Sequence, residues 1–221
     1  MTSYIFSDEE IARLISAARF LHPYECLPLR AQTLSLAIIL LCTTGLRRGE
    51  LLGLKLADFN SKEGTLLIQN TKFHKSRIVP LSSSVAGEVY HYLALRSKER
   101  LPMDTTSSLI LNSRTSKAYT GSGFSGNFSA LFRALKIFTR KGKTPRIHDF
   151  RHTFAVRVLE GWYQKGEDVQ AKLPFLSTYM GHVSINSTYY YLKFIEGISL
   201  QASTRFYENF GKIITKNLKE E

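Results

Sequence analysis

Four segments of the 221-residue chain carry arginine, lysine, histidine and tyrosine at spacings that could serve phosphoryl transfer without a metal. Such chemistry needs fixed positive charge around the phosphate, and arginine supplies it through a planar, always-protonated fork. It also needs a nucleophile with a base nearby and an acid for the leaving oxygen. The first segment, CTTGLRRGELLGL, holds Arg47 and Arg48 after a glycine that can end a helix. Either arginine could equally sit on a solvated corner. Glu50, three residues after Arg47, could orient its guanidinium or only make a helix-surface pair.

The second segment, NTKFHKSRIVPL, places Lys72, Lys75 and Arg77 at the tip of a hairpin, where they could reach a nucleic-acid groove or simply be solvated. Phe73 and His74 beside them argue for a specific shape. In the third, RIHDFRHTFAVRVL, His148 and Arg151 are three apart and share a face if the first helical turn includes both. Asp149 suits the positive end of that helix, Phe150, Phe154 and Val158 mark its core side, and His152 reads as structural. The fourth, FLSTYMGHVSINSTYYYLKF, ends one helix at Gly181, leaves His182 in a turn, and then runs through Tyr189, Tyr190 and Tyr191. Three successive tyrosines point three ways on a helix, so at most one faces a given pocket. Nothing in the residues themselves distinguishes that one from packing side chains. Zinc is a poor reading of the six histidines: His148 and His152 stand at i, i+4, but no paired carboxylate ligand accompanies them.

The charge fits this chemistry. Thirty lysines and arginines stand against 18 acids, a net charge of +12, and a domain so basic usually meets a polyanion. Cys26 and Cys42 cannot build a disulfide framework, and Cys42 lies in the apolar run LSLAIILLCTT, which is too short to span a bilayer and reads as a buried helix. The first residues lack the pattern of a secretion signal, so a cytoplasmic setting is expected.

The elements that must position these groups follow from periodicity. Ser7 and Glu10 have capping-box spacing, and Ile11, Leu14, Ile15 and Ala18 follow at helical period, predicting a helix from about 8 to 20. A central helix from about 30 to 43 follows, then a short one after Gly45. GTLLIQ and SRIVPLS read as a hairpin or small sheet, SSSVAGEVYHYLALRS as a serine-capped helix, and SLIL as a strand. Phe124, Phe128, Leu131, Phe132 and Leu135 mark another helix. After the basic loop RKGKTPRI a helix runs from Asp149 to about Tyr163, with shorter ones around 174–180 and 186–194 and a tail helix from about 199. The expected fold class is mainly α with a small antiparallel β-sheet (α+β), a single domain over residues 1–221 with 199–221 as its tail.

Taken in order, TGLRRGELLGL, TKFHKSRIVPL, HDFRHTFA and MGHVSINSTYYYL resemble the boxes of the tyrosine recombinases, the phage integrase family. The resemblance spans residues 45 to 191 and implies that family's catalytic domain. It would make Arg47 and Arg151 the phosphate clamps, Lys72 the acid for the leaving 5′ oxygen, and His148 an aid to removing the tyrosine proton. His182 would donate a hydrogen bond to a non-bridging oxygen, and Tyr191, nine residues later, would be the nucleophile. The implied product is a 3′-phosphotyrosine with a free 5′ hydroxyl, which conserves bond energy, so rejoining needs neither a cofactor nor a metal. The implied partner is double-stranded DNA, with no membrane.

Two further expectations come with the family. Its members usually carry a separate N-terminal DNA-clamping domain, whereas here the first helix begins almost at Met1; that domain is expected to be absent, with weak DNA binding and poor recombination. The tail stripe Phe206, Phe210, Ile213, Ile214 and Leu218 could pack on its own domain or dock on a neighbouring protomer, as the family's exchanged C-terminal segments do. Relaxation of supercoiled DNA in the manner of type IB topoisomerases, or non-catalytic regulation by DNA binding, are the rival functions. The target sequence and the biological task are not fixed by any motif.

Overall fold

Ser7 caps the first helix as its spacing requires: the Glu10 amide donates to Ser7 Oγ at 3.1 Å, and the Ser7 amide donates to Glu10 Oε2 at 2.9 Å. A computed structural model describes residues 3–22, 27–69, 76–181 and 191. They fall into two compact units: residues 1–155 with Tyr179–Gly181, and Val156–Thr178 with the chain from His182 onward. Among the described residues the fold is mainly helical with two small antiparallel sheets.

In the first unit, α1 (Asp8–Arg19) buries Ile11, Leu14 and Ala18 against α2 (Arg30–Thr44). The second helix is central, with Leu34, Ala37, Ile38, Leu40 and Leu41 all buried. A short α3 (Arg48–Gly53) leads through one 3-10 turn to β1 (Phe59–Asn60), β2 (Thr65–Ile68) and β3 (Arg77–Pro80). These strands pair antiparallel in that order, with Leu66 opposite Val79 and Leu67 opposite Ile78. Leu66, Ile68 and Val79 face the core while Leu67 and Ile78 face out, the period of two that a half-buried sheet requires. α4 (Ser83–Lys98) starts from the Ser82 cap, β4 (Leu111–Asn112) pairs with β5 (Lys117–Ala118), and α5 (Gly121–Ala134) starts from Thr120. The fully buried Arg96 ties down the chain between α4 and β4, donating from Nε to Pro102 O at 2.7 Å and from Nη1 to Ser108 O at 2.6 Å.

α6 (His148–Gln164) begins in the first unit, where stacked rings fix its first turn. Phe150 lies 4.4 Å from Phe6 between ring centroids, and Phe128 and Phe132 complete the cluster. The second unit holds the rest of α6 and most of α7 (Val169–Met180), with Val156, Leu159, Leu173 and Leu176 buried and Lys172 set over the Trp162 ring at 5.6 Å.

Three expectations change. Of the predicted strand SLIL, Ser108 bridges Lys55 and Leu109 N donates to Leu54 O in the chain after α3, and only Leu111 enters a named strand. The helix expected at 174–180 starts at Val169, with Asp168 accepting from the Ala171 amide at 3.0 Å and Pro174 lying inside it. Phe154 and Val158 are only partly buried; Phe150, Ala155, Val156 and Leu159 carry the core side of α6. The hairpin tip with Lys72, the turn with His182, most of the expected 186–194 helix and the 199–221 tail lie outside the described residues. No helix among the described residues is long and apolar enough to cross a membrane.

Candidate active site

The site begins at the end of α2, where Gly45 takes φ +62°. Left-handed backbone strains any residue with a Cβ, and here a Cβ would also lie 2.4 Å from Phe154 Cδ1. The turn therefore needs glycine twice over. It aims the Gly45 carbonyl at Arg151, whose Nη1 donates to it at 2.7 Å, while Arg151 Nη2 donates to Met180 O. Arg151 is 1% exposed, so both ends of its fork are seated on main-chain oxygens.

Two residues beyond Gly45, Arg47 stands just before α3 with extended backbone. Its amide donates to Glu50 Oε2 at 2.9 Å, its Nη1 to Glu50 Oε1 at 2.7 Å, and its Nη2 to Gly181 O at 2.8 Å. Carbonyls at a helix C-terminus carry partial negative charge, which suits guanidinium groups drawn to Met180 and Gly181. Gly181 again has a positive φ, +63°, and a Cβ there would come within 3.0 Å of Arg77 Nη1.

Arg77 is the main correction to the sequence reading. It does not project from the hairpin toward solvent. Its Nη2 donates to Glu50 Oε2 at 2.8 Å and its Nη1 to Glu50 Oε1 at 3.1 Å, with only 12% of the side chain exposed. Glu50 thus accepts from four donors on two arginines. Burial opposes its charge, but the hydrogen bonds from Arg77 and from the Arg47 amide, with the arginine charges, outweigh it and bring its pKa down to about 2. The choice left open for Glu50 resolves toward orientation, and toward two guanidiniums rather than one.

His148 opens α6 beside these groups. Asp149 holds the helix start, accepting from the Arg146 amide at 2.8 Å and from Arg146 Nη2 at 3.2 Å. The His148 and His152 rings meet edge to face, 4.7 Å apart. Burial, then Arg151, Arg146 and Arg47, push the His148 pKa below the ordinary imidazole range. Burial and His148 push His152 down to about 4. Both shifts favour the neutral imidazole over the imidazolium.

Of the residues singled out from sequence, Arg47, His148 and Arg151 come together in the first unit, joined by Glu50, Arg77 and the Gly45 and Gly181 turns. Tyr191 belongs to the second unit, where it is helical and 3% exposed. Lys72 and His182 lie outside the described residues. Arginine 47, with 30% of its side chain exposed, can meet a ligand from solvent. Three guanidiniums against Glu50 leave net positive charge beside the neutral imidazoles, an arrangement that suits a phosphate.

The sequence profile of the phage integrase family matches residues 5–195. A Sinorhizobium fredii protein named as an integrase/recombinase is 37% identical over 194 residues, covering 86% of this chain and 60% of that protein. The chain spans about 60% of the length of these curated relatives. The crystal structure of XerA recombinase superposes with a TM-score of 0.65 at 27% identity, over 86% of this chain and 60% of that one. XerH site-specific recombinase, bound to palindromic difH substrate in a post-cleavage complex, shares the fold with a TM-score of 0.69 at 23% identity, over 92% of this chain and 53% of that one.

Proposed function

The chain belongs to the phage integrase family, and on that premise we propose that it is a site-specific recombinase that cleaves and rejoins DNA through a 3′-phosphotyrosine. The observation that carries the proposal is the convergence of Arg47 and Arg151 on neighbouring main-chain oxygens from segments more than a hundred residues apart in sequence. The phosphate sits against these two guanidiniums, and His182 donates to one of its non-bridging oxygens. Tyr191 Oη attacks phosphorus as His148 aids removal of the phenol proton; the bond to the 5′ oxygen breaks, and Lys72 protonates that oxygen. Rejoining is the same step reversed, with the 5′ hydroxyl attacking the phosphotyrosine. Preorganised positive charge is the largest expected contribution, because the transition state gathers negative charge that the arginines already face.

The partner is double-stranded DNA, in the cytoplasm, and copies of the chain associate on it through residues 199–221. Solution mass of the DNA complex with and without residues 200–221 tests the association; an unchanged mass sinks it. For the chemistry, nicked duplexes tiled across the DNA ends flanking the gene are incubated with the full chain, and covalent adducts are resolved under denaturing conditions. Tyr191→Phe is expected to abolish the adduct. An adduct that survives Tyr191→Phe but not Tyr190→Phe moves the nucleophile. Relaxation of any supercoiled plasmid without sequence preference replaces recombination by topoisomerase action.

A further inference from the structure

Glu50 is one carboxylate between two guanidiniums, and this bears on the charge that Arg47 presents. Facing Arg47 alone, a buried Glu50 would cancel it, leaving the pair electrically neutral toward a phosphate. With Arg77 forked onto the same carboxylate at 2.8 and 3.1 Å, the three groups sum to one net positive charge. Arg77 does not meet a ligand itself: both terminal nitrogens are on Glu50. Its Nε is buried with no hydrogen-bond partner among the described residues. An unmade hydrogen bond on a buried cation is unfavourable, and a buried ion pair is weak evidence of a stabilising role. The position therefore asks for a reason beyond fold stability.

We propose that Arg77 is a positioning residue for strand cleavage: its two-point grip fixes the Glu50 carboxylate, which orients Arg47 and leaves it with net positive charge for the scissile phosphate. The inference rests on the function proposed above. A single-donor replacement cannot reproduce this grip, since only a planar fork meets both carboxylate oxygens. Gly181 belongs to the same arrangement, because the space a Cβ would need is taken by Arg77 Nη1 at 3.0 Å and Arg47 Nη1 at 3.6 Å.

The test is a cycle of Arg77→Gln, Glu50→Gln and the double variant, with Arg77→Lys as the conservative change. Single-turnover cleavage rate and DNA Kd are measured on the nicked duplex that the wild-type chain cleaves fastest. Arg77→Gln is expected to slow cleavage about ten- to a hundredfold, the scale of a small misplacement in an active site, with Kd within about twofold. The double variant should be no slower than Glu50→Gln. The acid limb of the rate profile should move to higher pH in Arg77→Gln, as Glu50 loses the donors that hold it ionised, and return toward wild type in Arg77→Lys. Cleavage by Arg77→Gln within about twofold of wild type, multiplying losses in the double variant, or a Kd that weakens as much as the rate each overturn the proposal. Should Arg77→Gln melt below the assay temperature, the cycle is read with Arg77→Lys, which keeps the buried charge but not the two-point grip and is itself expected to cleave at least about tenfold more slowly than wild type. A wild-type chain that forms no adduct on any duplex defeats the recombinase reading and this inference with it, whereas an active wild type with an inert cycle defeats the inference alone.

Discussion

Replacing Gly45 by alanine tests the hinge on which the arginine seats depend. At φ +62° an alanine costs about 1–2 kcal/mol in backbone strain. Its methyl would stand 2.4, 2.9 and 3.0 Å from three carbons of the Phe154 ring, well inside the ~3.5–4.0 Å of ordinary carbon contact. The ring is not free to turn away, because it stacks on Tyr179 with centroids 5.5 Å apart. Overpacking of this kind adds about 1–3 kcal/mol, so Gly45→Ala should destabilise by about 2–5 kcal/mol in a urea titration. Gly53→Ala is the matched control: it is helical with nothing within 4 Å of a Cβ, and should be neutral or stabilising by up to ~1 kcal/mol. Because the Gly45 carbonyl receives Arg151, cleavage by Gly45→Ala should also fall at least about tenfold. A Gly45→Ala stability within ~0.5 kcal/mol of wild type would show that the turn relaxes and that the geometry does not constrain it as argued.

Two more outcomes follow from the same unit. His152 is held near pKa 4, below its ordinary 6.5, so the unfolded chain takes the proton first; stability is whole above pH 6.5 and declines as pH falls toward 4. With solvent screening the loss is about 1–3 kcal/mol, and His152→Gln should flatten that stretch of the stability profile, a parallel slope in the two proteins contradicting it. Arg96→Met strands the carbonyls of Pro102 and Ser108 and should lower stability by about 2–4 kcal/mol while leaving the cleavage rate of the folded protein unchanged. Denaturation midpoints equal to wild type would place the anchoring of that loop elsewhere.

Local signals in the sequence proved sound where local physics decides the outcome. The Ser7–Glu10 box and the apolar run of α2 specify their helices through residues three or four apart, and both form as read. The helix expected around 174–180 starts earlier because Asp168 caps it, and Pro174 is accommodated inside it. SLIL has the composition of a strand, but Leu109 finds its partner in Leu54, a pairing set by how α3 turns back. The convergence of Arg47, His148 and Arg151 was legible through the family's boxes. Arg77 was not, since its ion pair with Glu50 closes across 27 residues and no periodicity links the two. The sequence reading grouped Arg77 with Lys72 and Lys75 on a tip that reaches a groove or is solvated; paired with the buried Glu50 side chain, it does neither.

The two ends of the Arg151 fork take hold of the backbone of Gly45 and Met180. A carbonyl oxygen is supplied by whatever residue occupies a position, so drift in side-chain identity at 180 leaves the acceptor in place provided the helix end survives. The seat is inherited as chain geometry. On the function proposed above, surfaces that read DNA sequence could therefore be rewritten over evolutionary time, or by directed recoding toward a new target, without dislodging this guanidinium. The vulnerable points are the few glycines whose absence of a side chain shapes the path, which makes Gly45 a more dangerous place to randomise in a retargeting library than Met180.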